Sequence, residues 1–470
     1  MSDDLCWLPA LDLVRLVREQ KVSPVEVIDQ LLARIARTNP RLNAYCTVTE
    51  EEARESAVAA EVAVMTGEPL GPLHGVPVSV KDTLFTRRVR TTGGSSLFAD
   101  HVPEEDAVVV ERLKGAGAII VGKTNTPEFA HKAVTDNPLF GITRNPWDLS
   151  LTSGGSSGGA GAAVAAGLGP LAVGTDAGGS IRLPAAFCGI YGLKPSFGRV
   201  PNGPGFAGGW DTFSCTGPMT RTVRDAALML DVMAGPDERD RYSLPAPAGD
   251  SFLAACDAGI AGLSVAWSAD LGRARVDPVI SALCEDAAAN LDTLGCHVEV
   301  VMPTWDDPEP AFRVLAAAEM WAAWKTRLTD GAPIDRSLAA LLRAGERVTA
   351  SEYLDALEGV RALWTDVHRF LARFDFLVMP TVAVPPFPVD GPFPKTVNDE
   401  PISPLGWMPF TFPWNLTGQP AASVPIGFTA AGLPIGLQIV GRRHADASVL
   451  AASAAIEAAS PWIDRRPPDA

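Results

Sequence analysis

Ten of the 26 residues from Gly154 to Gly179 are glycine (Gly154, Gly155, Gly158, Gly159, Gly161, Gly167, Gly169, Gly174, Gly178 and Gly179), and no charged residue occurs from Leu149 to Thr175. The stretch is otherwise mostly Ala and Ser with Pro170 inside, too weakly apolar for a membrane span. Its natural place is in loops and tight turns, where backbone without Cβ atoms can approach another molecule closely. The 47% hydrophobic content of the 470-residue chain excludes general disorder, and its 43 Gly and 40 Pro show no G-X-Y period. A net charge of −16 repels phosphate backbones, so a nucleic-acid partner is not expected.

The seven cysteines are scattered and form no C-x-x-C pair, which removes support for zinc ribbons and thioredoxin-like sites; no metal is expected. The acidic start MSDDLCWLPALDL lacks the positive n-region of a secretory signal, so a cytoplasmic location is expected, with no membrane partner.

Along the chain, Ser23-Pro24 starts a helix carrying Val25, Ile28, Leu31, Leu32 and Ile35, and a second helix runs from about Glu50 to Met65. The texture then changes to short apolar runs. Val76–Val80, Ala118–Val121, Pro170–Val173, Leu263–Trp267 and His297–Val301 read as strands. Helical patterns at 106–115, 159–167, 222–234 and 277–294 lie between them, an alternation that predicts an α/β sandwich on a parallel or mixed sheet. Segment 309–372 reads as mostly helical, with Ala316, Met320, Trp324 and Trp364 apolar. Segment 380–415, rich in Pro and aromatics, reads as irregular wall. A strand pair around 421–426 and 436–440 precedes an Ala-rich helix.

Two strings match motifs but lack their context. Residues 117–124, GAIIVGKT, satisfy G-x-x-x-x-G-K-[ST], yet Ala-Ile-Ile-Val reads as a strand rather than a phosphate-cradling loop. Residues 155–159, GSSGG, fit the G-x-S-x-G elbow, but no buried strand is expected before them. The downstream histidines His297, His368 and His444 have no recognisable catalytic setting, so a Ser/His/Asp esterase is only a minor alternative.

Three other segments carry chemistry together: Gly75–Asp82 with Lys81 at the end of an apolar strand, the loop Thr152–Gly159, and Gly174–Arg182. A lysine buried at a strand end loses its proton readily and can serve a serine as base. The run Ala177-Gly178-Gly179-Ser180 has almost no side chains, so its N–H groups can converge on one oxyanion. Taken singly, Gly/Ser loops are commonly turns and Lys81 could snorkel at the surface. The combination is what is informative.

These residues resemble the amidase signature family through GGSSGG at 154–159, GTDAGGSIRLPAAFCGIYGLKPSFGRV at 174–200 and VKD at 80–82. Further matches are PLHGVPVSVKD from Pro72, VGKTNTPEFA from Val121, TRNPWD from Thr143 and GLPIGLQIVG from Gly432. The resemblance implies a single α/β/α domain around a large mixed sheet. Within residues 1–470 it would comprise N-terminal helices (1–65), the signature core (66–235), a more variable helical and substrate-wall region (236–400), and C-terminal strands and helix (401–470). It also implies a Ser–cis-Ser–Lys triad: Ser180 as nucleophile, Ser156 as the cis-Ser, Lys81 as base. Backbone N–H groups of Ala177, Gly178, Gly179 and Ser180 would form the oxyanion hole, and no cofactor is needed. Ser157, Thr175, Asp176 and Arg182 are expected to orient the triad, with Asp176 and Arg182 pairing across the loop.

The expected function is hydrolysis of the C–N bond of a small-molecule amide. Phe206, Trp210, Trp407, Phe410, Phe412 and Trp414 are candidates for an apolar pocket, which points to apolar or aryl amides, with anilides and carbamates in reach. The glutaminase-like component of tRNA-dependent amidotransferases belongs to the same family and is the alternative. It typically carries S-R-Y-G after the GLKPS-like segment, where this chain has FGRVPNGPGFAGGW. Family members are often dimers, so a homodimer is a further expectation. Cys188 is expected in the core, and His74 is expected to bond within its own turn.

Overall fold

The computed structural model describes residues 4–206, 209–245, 251–327 and 333–468. Part of the FGRVPNGPGFAGGW segment (207–208) and of the 309–372 segment (328–332) therefore lies outside the described residues. Eleven strands form one mixed sheet: β1 (Tyr45–Val48), β2 (Pro77–Lys81), β3 (Ile119–Thr124), β4 (Leu171–Asp176), β5 (Tyr191–Lys194), β6 (Cys215–Thr220), β7 (Ser264–Trp267), β8 (His297–Val300), β9 (Phe376–Pro380), β10 (Ala421–Phe428) and β11 (Pro434–Gly441). Their order across the sheet is β1-β3-β2-β4-β6-β5-β10-β11-β9-β7-β8. β2 runs parallel to β3 and β4, and β7 parallel to β8 and β9, while the strands between pair antiparallel.

Period-two alternation divides the core between the two faces of this sheet. Val78 and Val80 of β2, Leu171 and Val173 of β4, Phe376 and Val378 of β9, and Ile435, Leu437 and Ile439 of β11 enter one large cluster. Helices Val108–Gly115, Val223–Met233, Pro278–Thr293 and Asp446–Ala459 close that face. The alternate residues Ile119 and Val121 join helices Pro24–Leu42, Glu50–Thr66 and Gly158–Ala165 on the other side. There Ala172 also meets Ala160, Ile181 and Ala185. The result is the expected α/β architecture.

Boundaries follow local chemistry. Ser23 caps Pro24–Leu42 through a reciprocal box with Glu26, and Asp277 accepts from the N–H of Val279 and Ile280. β3 and β4 run on through Gly122-Lys123-Thr124 and Gly174-Thr175-Asp176, polar ends that an apolar-run criterion leaves out. GAIIVGKT contains strand, not a phosphate loop. A Cβ on Gly122 would meet Thr47 O at 2.3 Å, so the glycine admits β1 against β3. β1, β5 and β6, short or interrupted by Gly and Pro, were not anticipated, and neither was β9, although its Phe-Leu-Val-Met run is continuous.

One further expectation, that for His74, is corrected. A strand, Asp148–Thr152, does precede Gly155-Ser156, but it belongs to a two-stranded ribbon with Arg144–Asn145 and has alternate residues exposed. The His74 ring reaches out of its turn, its Nε2 lying 2.9 Å from Ala60 O on the neighbouring helix. Trp364 sits half-exposed on helix Ala350–Leu371, stacked on His368. All seven cysteines are free, and Cys188 is buried.

Candidate active site

Lys81 is the last residue of β2. Because Val78 and Val80 point into the opposite core, Ser79 and Lys81 face the side covered by helix Gly158–Ala165. The lysine is wholly buried, and its Nζ donates to Ser156 Oγ at 2.6 Å and to Thr175 Oγ1 at 2.8 Å. Burial pulls the ammonium pKa down from 10.5 to about 7, against the opposing charge of Asp176. A substantial neutral fraction therefore exists at neutral pH.

The Gly155–Ser156 peptide is cis. Its surroundings are tight: a Cβ on Gly155 would meet the Val134 carbonyl carbon at 2.6 Å, and Gly158 N–H donates to Thr135 Oγ1 at 3.0 Å. Ser157 laces the loops together. Its hydroxyl donates to Thr175 O (3.2 Å) and accepts from Thr175 N–H (3.3 Å), while its own N–H donates to Ser180 O at 3.1 Å. Ser156 and Ser157 thus lie on one side of a pair of loops and Thr175 to Ser180 on the other.

Ser180 stands at the rim, partly exposed. No hydrogen bond joins its hydroxyl to Ser156 Oγ: among the described residues Ser180 Oγ has no bonded partner, and Ser156 Oγ accepts from Lys81 Nζ. Such contacts tighten when a substrate closes the site.

Asp176, at the end of β4, organises the glycine loop that follows it. Its Oδ1 accepts from Gly179 N–H (2.7 Å), Arg182 Nη2 (2.8 Å) and Asn415 Nδ2 (3.0 Å). Its Oδ2 accepts from Ile181 N–H (3.1 Å) and Arg182 Nε (2.9 Å). Burial alone would raise this carboxyl, but the Arg182 guanidinium beside it holds it well below the usual carboxylate range. Arg182 is itself wholly buried, and its Nη1 donates to Thr411 O (2.8 Å) and Gln438 Oε1 (2.7 Å). The oxyanion expectation needs one correction. The Gly179 N–H is committed to Asp176, so the unbonded donors of this loop, among the described residues, are Ala177, Gly178 and Ser180.

A cavity of about 730 Å³ is lined by Trp210, Phe312, Leu341, Val348 and Leu405, with Glu309 and Arg313 among its polar residues; Lys81, Ser156 and Ser180 are not in its wall, and Phe312 is the residue it shares with the surroundings of the glycine loop. A Cβ on Gly178 would meet Phe312 Cζ at 2.8 Å, which sets this ring against the glycine loop. Of the expected pocket aromatics, Trp210 lines the cavity. Phe410 and Trp414 do not: they point into the core with Leu377, Met379 and Trp305. Trp407 packs with Phe187 and Phe387 in a separate cluster. Phe206 and Phe412 belong to the cluster that also holds Phe312, behind the wall.

Sequence reasoning missed Phe312, Thr411, Asn415 and Gln438. For Thr411 and Asn415 a signal existed: they are the polar positions of a run, 410–415, otherwise made of Phe, Pro and Trp. Among the described residues no group of three His, Cys, Asp or Glu could hold a metal ion, and no helix is long and apolar enough to cross a membrane. None of His297, His368 and His444 is hydrogen-bonded to Ser156 or Ser180.

A buried lysine on a serine hydroxyl, set beside a glycine loop of free N–H groups, is the equipment of a serine hydrolase without histidine. The family described as Amidase matches residues 26–450, and this chain belongs to it. An acylamidase of Rhodococcus erythropolis is 39% identical over 100% of this chain and 98% of its own length. A glutamyl-tRNA(Gln) amidotransferase subunit of Moorella thermoacetica is 36% identical, with 99% of each chain covered. Among solved structures, a bacterial aryl acylamidase of the amidase signature family superposes with a TM-score of 0.91 at 36% identity over 97% of both chains. A 6-aminohexanoate cyclic dimer hydrolase does so with a TM-score of 0.89 at 30% identity, covering 98% of this chain and 99% of that one. The protein is a hydrolase acting on amide C–N bonds.

Proposed function

We propose that this amidase works through an acyl-enzyme on Ser180, with Lys81 as base and Ser156 as relay, on amides carrying an apolar or aryl group. The observation that carries the reading is the buried Lys81 Nζ, 2.6 Å from Ser156 Oγ and with a pKa near 7. In its neutral form Nζ takes the Ser156 proton, and Ser156 Oγ takes that of Ser180 as Ser180 attacks the carbonyl carbon. The resulting oxyanion is stabilised by the N–H groups left free in 177–180. On collapse the proton returns from Lys81 through Ser156 to the leaving nitrogen, the C–N bond breaks and the amine departs. Water, deprotonated along the same route, attacks the ester carbonyl and releases the acid.

The substrate preference is supported by the aromatic cluster around Phe312, whose ring abuts Gly178, and by the similarity to an acylamidase and an aryl acylamidase. Anilides and carbamates place an acyl–nitrogen bond in the same geometry. The similarity to a glutamyl-tRNA(Gln) amidotransferase component supports the alternative of a glutaminase-like partner chain in such an assembly. Initial rates of the purified chain on 4-nitroacetanilide, acetamide and glutamine separate the two. The expected outcome is release of 4-nitroaniline by the chain alone, with kcat/KM at least about tenfold above acetamide, a difference of roughly 1.4 kcal/mol in barrier. Activity on glutamine only would establish the alternative.

A further inference from the structure

We infer that Thr411 is a positioning residue for the oxyanion-binding loop, acting by fixing the plane of the Gly178–Gly179 peptide. This inference rests on the acyl-enzyme reading above. The peptide is gripped at both ends: Thr411 Oγ1 donates to Gly178 O at 2.7 Å, and Gly179 N–H donates to Asp176 Oδ1 at 2.7 Å. No other hydrogen bond holds it among the described residues.

Such a double anchor matters because neither glycine restrains itself. Gly179 sits at φ +127°, a conformation that residues with a Cβ rarely adopt, and two consecutive glycines leave the torsions on either side of the shared peptide soft. Rotation of that plane would turn the neighbouring Gly178 and Ser180 N–H groups, two of the three donors still free to meet an oxyanion. Hydrogen bonds to a developing charge depend steeply on direction, so a loop that wanders loses its effect on the transition state before it loses ground-state binding.

Thr411 is itself well placed to act as a fixed point. Its neighbours Phe410 and Phe412 are buried in two different aromatic clusters, and its carbonyl accepts from Arg182 Nη1, the same guanidinium that holds Asp176. Its side chain lies flat against the loop: a Cβ on Gly179 would meet Thr411 Oγ1 at 2.5 Å and Cβ at 2.6 Å. The hydroxyl also has Met408 O within 3.2 Å, but the shorter contact is to Gly178. Asp176 and Thr411 therefore act on the two ends of one peptide, and Arg182 ties the two together.

The test compares Thr411→Val, which keeps the shape and deletes the donor, with Thr411→Ser, which keeps the donor. Steady-state kinetics on 4-nitroacetanilide, inhibition by phenylboronic acid and the melting temperature are measured for both. Expected for Thr411→Val is a fall in kcat of about 10- to 100-fold with KM changed less than about threefold, and boronate binding weakened in parallel. Thr411→Ser should recover most of kcat. Wild-type kcat in Thr411→Val, a loss confined to KM, or a serine variant no better than the valine variant would each overturn the inference. Should Thr411→Val fail to fold, Thr411→Ser and Thr411→Cys decide it: the weak thiol donor should give a kcat well below that of serine, and equal values would refute it. Ser180→Ala is the control for the underlying reading: if it retains activity the acyl-enzyme reading fails, whereas an inactive Ser180→Ala beside a fully active Thr411→Val refutes the Thr411 role alone.

Discussion

Arg182 grips Asp176 through two edges of its guanidinium, Nε to Oδ2 at 2.9 Å and Nη2 to Oδ1 at 2.8 Å, with both side chains wholly buried. Removing one partner leaves the other charge buried without compensation, which typically costs about 3–5 kcal/mol. Arg182→Met is expected to be destabilised by an amount of that order in urea unfolding. Asp176→Asn combined with Arg182→Met is expected to be more stable than Arg182→Met alone, since no uncompensated carboxylate remains. Activity should be lost in both, because the pair that anchors the Gly179 N–H is broken.

The depressed pKa of Lys81 has a stability consequence of definite sign. The folded lysine releases its proton near pH 7 and the unfolded one near 10.5, so between those values the unfolded chain binds more protons and stability rises with pH. Lys81→Met removes this burden. Its melting temperature should exceed that of the wild type most clearly at pH 6 and least near pH 10, while its amidase activity is abolished. In the wild type, kcat/KM should fall below an acid limb with an apparent pKa of about 7.

The two glycines of the proposed oxyanion loop should respond differently to alanine. At Gly179 the methyl group faces the Thr411 side chain at 2.5 Å in a backbone conformation, φ +127°, that alanine resists. At Gly178 it meets only the far edge of the Phe312 ring, at 2.8 Å. Gly179→Ala is expected to lose all measurable turnover. Gly178→Ala should retain some, and Phe312→Leu in the same chain should recover part of the loss, as measured by kcat/KM on a common anilide.

Phe312 also offers a direct test of the pocket. It packs on Phe213 and Phe412, with ring centroids 5.8 and 5.1 Å apart, and forms part of the cavity wall. Phe312→Ala should shift preference toward bulkier acyl groups, raising the ratio of kcat/KM for a naphthoyl over an acetyl anilide by about tenfold, or roughly 1.4 kcal/mol. An unchanged ratio would separate Phe312 from the substrate.

Much of this arrangement was legible in the residues, for physical reasons that can be named. Strands with continuous apolar runs, such as 76–80 and 118–121, announced β2 and β3, and the alternation of strands with helical patterns announced the α/β class. Lys81 and the Gly/Ser loops stood out because lysine at a buried strand end and side-chain-free backbone are costly unless they serve something. What stayed hidden depends on distant parts of the chain meeting. Phe410 and Trp414 look like pocket aromatics in one dimension, yet the fold turns them into the core and brings Thr411 and Asn415, in the same run, onto the Asp176 loop. Gln438 reaches Arg182 across 256 positions, a pairing no local pattern encodes. β5 and β6 escaped because Gly and Pro interrupt them, and pairing in the middle of the sheet outweighs that weak propensity.

In the proposed mechanism Ser180 carries the acyl group, and Lys81, through Ser156, puts it there. Rapid mixing of the enzyme with an activated aryl ester, acid quenching and mass spectrometry of the digest read this out directly. One acyl group per chain is expected on the peptide containing Ser180 in the wild type, and none in Lys81→Ala at the same mixing time. An acyl group on Ser156 or Ser157 instead, or equal labelling of Ser180 in Lys81→Ala, would contradict it.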